Sequence, residues 1–137
     1  MQKFIKHSKK YIQKLQNLKT QYETELKNLN GKKAVCLNEV FECLVNEINL
    51  DTILVETDHE ESTLSAEKLK NIIQEMKENN IKAIIVDESD NLKNAQTLSL
   101  ETGADIYKLD SCLTGNLGID AYINAMTQNL EELEKIK

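Results

Sequence analysis

Gly31-Lys-Lys-Ala-Val-Cys-Leu-Asn-Glu-Val-Phe41 is the stretch that decides how the chain folds. Ala34 to Leu37 is a short apolar run that opens after a glycine, as a buried strand does. It stops at Asn38, whose side-chain oxygen is suited to accept a backbone N–H at the start of a helix. Val40, Phe41, Leu44, Val45 and Ile48 then return at the spacing of a helix with one apolar face. The same step from strand to polar turn recurs near the other end, where Asp105-Ile-Tyr-Lys-Leu109 runs into Asp110-Ser-Cys-Leu-Thr-Gly115. In open α/β domains ligands sit at the loops that follow the strands. Right-handed crossovers would set Asn38, the 56–62 loop, Asp87-Glu-Ser-Asp90 and Asp110 along one such edge.

On either side of these two steps the alternation continues. Phe4 to Leu29 reads as one long helix, with Leu15, Leu18, Tyr22, Leu26 and Leu29 on one stripe and Asn30-Gly31 as its stop. Thr52 to Val55 is the second strand. Ser65 can cap a helix that carries Leu69, Ile72, Ile73 and Met76 and ends at Asn79-Asn80. Ile81 to Val86 is the third strand, Leu92 to Thr102 a helix closed by Gly103, and a last helix starts near Ile119. Short strands alternating with helices predict a three-layer α/β/α domain with a four-stranded parallel sheet, preceded by a long N-terminal helix. Residues 1–137 suffice for one such domain and are too few for two.

Composition excludes several functions. A net charge of -6 argues against nucleic acid as a partner. All 17 basic residues are Lys, so a site built on bidentate Arg clamps is excluded. Four glycines and no Gly-x-Gly-x-x-Gly leave no phosphate cradle. Asp87, Glu88 and Asp90 suggest the acidic cluster of a phospho-accepting receiver domain. The first strand, however, ends in Cys36-Leu37-Asn38 and not in the acidic pair such a domain needs. No base, nucleophile and orienting group can be assembled around His7 and His59, so an enzyme is not expected. His59, in the acidic loop Glu56–Ser62, is a candidate metal donor. Cys36 and Cys43 are expected to be buried thiols, and Cys112, two residues after Asp110, is a candidate ligand or reactive thiol. The N-terminus lacks the apolar run of a secretory signal peptide.

Several segments in order resemble the zinc/manganese-type (cluster A-I) solute-binding proteins of ABC importers. Gly31 to Phe41 is similar to their "Gly-Lys-x-Val … His-x-x-Phe" segment, and Leu109-Asp-Ser-Cys-Leu to their "Leu-Asp-Pro-Leu". Lys82-Ala-Ile-Ile-Val-Asp87 is similar to "Ile-Phe-x-Glu", and Thr97 to Ala104 to "Leu-Ala-x-Glu-Thr-Gly-Ala". Tyr122, Met126, Asn129, Leu130 and Leu133 fall as in the closing "Tyr-x-x-x-Met-x-x-Asn-Leu-x-x-Leu".

The resemblance implies a C-terminal lobe, with residues 1–30 part of the interdomain helix. It implies Zn2+ or Mn2+ held by Asp110, with Asn38 at the position where the family has His or Glu, and His59 or Cys112 as substitutes. The implied partners are a missing N-terminal lobe and an ABC transporter permease. The parent would be extracellular or periplasmic, membrane-anchored or soluble, with this chain a fragment of it. The uncovered first helix is expected to drive homo-oligomerisation. The alternative is a metal-free α/β protein-interaction module derived from that lobe.

Overall fold

The computed structural model describes residues 2–55, 64–90, 92–111 and 120–136, with side chains from Ser8 onward. Helix α1 (Gln2–Glu25) leads through a 3-10 turn (Lys27–Leu29) to strand β1 (Lys33–Cys36). A second 3-10 turn (Glu39–Phe41) opens into helix α2 (Glu42–Glu47), followed by β2 (Asp51–Leu54). Helix α3 (Ala66–Glu78), β3 (Ala83–Asp87), α4 (Lys93–Thr102), β4 (Asp105–Leu109) and α5 (Ala121–Glu134) complete the alternation.

The four strands form one parallel sheet in the order β2-β1-β3-β4. Side chains alternate between its faces, as strand geometry requires. Ala34, Cys36, Ala83, Ile85, Tyr107 and Leu109 pack with α1, α2 and α5. Val35, Leu37, Ile84 and Val86 pack with α3 and α4 on the other side. All five residues of β3 are buried, so this strand lies between two apolar layers.

The local signals that end these elements are the expected ones. Ser65 Oγ accepts the Lys68 N–H at 3.2 Å and caps α3. Gly103 closes α4 at φ 74°, a left-handed conformation that a side chain would strain.

Three local details depart from the sequence expectation. The first helix does not stay α-helical to Leu29, because its last turn tightens: Leu29 N–H donates to the Leu26 carbonyl at 3.0 Å and Lys32 N–H to that of Leu29. The second helix begins in 3-10 form, because Phe41 N–H reaches back to the Asn38 carbonyl at 3.3 Å. Cys43 is exposed, whereas Cys36 is buried as expected. The buried stripe of this short helix runs through Phe41, Val45 and Ile48, and Cys43, two positions from both Phe41 and Val45, points away from it.

The two-sided core sets the stability. Ile85→Ala removes a fully buried side chain from the central strand and is expected to cost about 2–5 kcal/mol. Leu100, 87% exposed on α4, serves as the contrast, and Leu100→Ala should change stability by less than about 0.5 kcal/mol. Urea unfolding of both variants checks the difference.

Candidate metal-binding edge

The order β2-β1-β3-β4 sends the chain from β1 outward to β2, then across to β3 on the other side of β1. The connections leaving β1 and β3 therefore part, and a crevice opens at their carboxyl ends. Asn38 follows β1, Asp87 ends β3 with Asp90 three residues on, and Asp110 follows β4. The topology thus brings the two candidate residues Asn38 and Asp110 to one edge.

Asn38 is half-buried with both polar ends engaged. Its Oδ1 accepts the Val40 N–H at 3.0 Å, which is the expected cap. Its Nδ2 donates to both carboxylate oxygens of Asp90, at 3.1 and 3.3 Å. Asp90 Oδ2 also accepts the Asp87 N–H at 3.3 Å. The amide therefore bridges the crevice between β1 and β3, with its oxygen toward a donor and its nitrogen toward an acceptor. Below it, Cys36 Sγ donates to the Asn38 carbonyl at 3.1 Å. Burial pushes this thiol above its ordinary range, and the nearby Asp90 charge adds to the effect, so it stays protonated at neutral pH.

Asp110 is half-buried, and its main chain is held on both sides. Its N–H donates to Asn129 Oδ1 at 2.8 Å and its carbonyl accepts from Asn129 Nδ2 at 2.9 Å. The next N–H, of Ser111, donates to Asp87 Oδ1 at 3.4 Å, and Ser89 Oγ donates to Asp87 Oδ2 at 2.8 Å. Asp87 is 5% exposed. A carboxylate buried to that degree must be hydrogen-bonded, and both of its oxygens are. The sequence sets Asp87 and Asp90 on this edge, whereas Asn129 was not singled out from it as part of the site. The readable signal was an Asn inside the apolar stripe of α5, between Met126, Leu130 and Leu133.

Asp110 and Ser111 also line a groove of ≈ 820 Å³ between α1, α2 and α5, whose walls include Leu18, Tyr22, Leu44 and Met126. The Tyr22 hydroxyl donates to the Met126 carbonyl and ties α1 to α5. His59 and Cys112 lie outside the described residues. Among the described residues no three His, Cys, Asp or Glu side chains gather where they could hold a metal ion. Tight zinc sites take three or four protein ligands, more than the described residues bring together.

Residues 1–136 match the family described as ZnuA, zinc-uptake complex component A, periplasmic. The chain is 35% identical to the high-affinity zinc uptake system protein ZnuA of Bacillus subtilis (strain 168), over 96% of this chain and 42% of that protein. It is 25% identical to a metal ABC transporter substrate-binding lipoprotein of Lactococcus lactis, over 96% of this chain and 44% of that protein. Among solved structures it is similar to Zn(II)-bound AdcA from Streptococcus pneumoniae, with a TM-score of 0.75, 27% identity, and coverage of 96% of this chain and 30% of that one. The chain spans less than half the length of the curated relatives it matches.

The Asn38–Asp90 bridge predicts a pH signature. Asn38→Asp would set two carboxylates against each other, and one would keep its proton in the folded state, with its pKa raised above the unfolded value. The folded variant then binds more protons than the unfolded chain above pH ~4, so its stability falls as pH rises toward the raised pKa. The expected deficit is about 1–3 kcal/mol at pH 7, smaller at pH 5, and relieved when Asp90→Asn is added. Urea midpoints at the two pH values for the single and double variants check this.

Proposed function

The chain belongs to the ZnuA family of periplasmic zinc-uptake components, and from that premise we propose that it is the C-terminal lobe of an ABC-importer solute-binding protein for a divalent transition metal. Proteins of this kind are transport components rather than enzymes: the metal is cargo, captured and handed to a membrane permease without bond chemistry. The observation that carries the reading is the placement of Asp110, whose backbone is fixed at the carboxyl edge of the sheet and which lines the groove beside α1.

In this reading Asp110 gives the cargo an anionic oxygen ligand. The N-terminal lobe, outside these residues, supplies the remaining ligands. Residues 1–30, with α1 at their centre, form part of the helix between lobes. The parent works outside the cytoplasmic membrane, in the periplasm or as an anchored lipoprotein. Among the described residues no helix is long and apolar enough to cross a membrane. Asn38 stands where the family places a His or Glu. A neutral amide oxygen is a poor zinc ligand and a better one for a harder ion, so manganese gains on zinc as the cargo of this lobe.

A second reading is favoured by one observation. Asn38 spends both of its polar ends within the fold. A lobe whose second ligand position has become an internal brace fits a metal-free interaction module. That module would act through the groove and the outer half of α1, where Ile12 is 52% exposed, with a second copy of the chain as one partner.

Calorimetric titration of zinc and of manganese into the chain separates the two. The metal reading expects binding at about micromolar Kd, weakened at least about tenfold in Asp110→Ala, a loss of roughly 1.4 kcal/mol or more. Asn38→His should then tighten zinc more than manganese, since imidazole suits the softer ion. No heat with either metal, together with a concentration-dependent mass in light scattering, would favour the interaction module.

A further inference from the structure

We propose that Asn129 is the positioning residue for Asp110, setting the direction from which that carboxylate meets the metal; this rests on the reading of Asp110 as a ligand.

The physical case starts at the sheet edge. β4 is an outer strand whose neighbour is β3, with Leu109 in register with Asp87 and its carbonyl accepting the Glu88 N–H at 2.8 Å. Successive residues of a strand turn their N–H and C=O to opposite sides. The main-chain groups of Asp110 therefore face away from β3, where no strand follows. Asn129 fills that place with a single planar amide, its Oδ1 2.8 Å from the Asp110 nitrogen and its Nδ2 2.9 Å from the Asp110 oxygen. The nitrogen belongs to the peptide before Asp110 and the oxygen to the peptide after it. Holding both planes fixes the two backbone dihedrals of Asp110, and with them the Cα–Cβ direction. Asp87 grips the second plane from its other end through the Ser111 N–H.

Packing alone would not select this residue. Asn129 is 2% exposed on the apolar stripe of α5, where a Leu would be cheaper to bury. What the amide supplies is geometry: a ligand already aimed gives up less freedom on binding than one that must be immobilised. Partners that orient a ligand typically change metal affinity 10–100-fold when removed.

The test combines zinc and manganese titrations with readouts independent of metal, using the full chain and the variants Asn129→Leu, Asn129→Asp and Asp110→Ala. Each is measured well below its thermal midpoint. The expected result is metal binding about tenfold weaker in Asn129→Leu, with faster amide hydrogen exchange at Asp110. Asn129→Asp, which keeps the acceptor and loses the donor, should fall between it and the wild type. It also carries the test should Asn129→Leu fail to fold. Folded Asn129 variants that bind metal as tightly as the wild type overturn the positioning role and leave Asp110 as ligand. A wild type that binds no metal, or binding that survives Asp110→Ala, overturns the ligand reading and this inference with it.

Discussion

The structure depends on the burial of β3. All five of its residues, Ala83 to Asp87, are shielded on both faces, and a parallel strand can be covered that way only by helices above and below the sheet. The two helix layers follow: α1, α2 and α5 on one side, α3 and α4 on the other. The last residue of the strand is a carboxylate. Because Asp87 is buried, it must find donors, and it takes them from Ser89 and from the turn after β4. The apolar requirement at the centre of the sheet thus organises the polar chemistry at its edge.

That edge is a set of mutual restraints. Asn38 and Asp90 join the turns after β1 and β3, while Asp87 and Asn129 hold the turn after β4 from two sides. Side chains held this way keep one geometry, which is what a binding site placed on strand ends needs. The same economy gives Asn38 a structural task, with its oxygen on the Val40 N–H and its nitrogen on the Asp90 carboxylate.

Most of the fold was legible from local signals. Alternating apolar runs gave the four strands, and the caps at Ser65 and Gly103 and the cap by Asn38 sit where short-range chemistry puts them. The misplaced details, a 3-10 start after Asn38 and an outward Cys43, arise where a six-residue helix is too short for its apolar pattern to fix its rotation. The site was legible in part. Asp110 and Asn38 stood out because they follow strands in segments that resemble the family's. Their partners did not, because Asn38 meets Asp90 across 52 positions and Asp110 meets Asn129 across 19. No periodicity encodes such pairings, and they exist only once the sheet has closed. The resemblance suggested ligand positions, but it carried no sign that the amide at position 38 would bond to Asp90.

The way the sheet is sewn has a consequence for how it comes apart. β1 and β2 pair across 18 positions and β3 and β4 across 22, as Ala34 with Thr52 and Ala83 with Asp105 show. β1 and β3 pair across 49, as Val35 with Ile84, and their ladder covers that pair and the Cys36–Ile85 pair alone. Contacts between distant parts of a chain form late in folding, because loop closure must precede them. The sheet is thus two locally paired strand couples that meet along a short central ladder, with helix layers spanning both. Slow opening of the sheet would have to part that ladder, directly beneath the Asn38–Asp90 bridge, together with the helix packing that spans it.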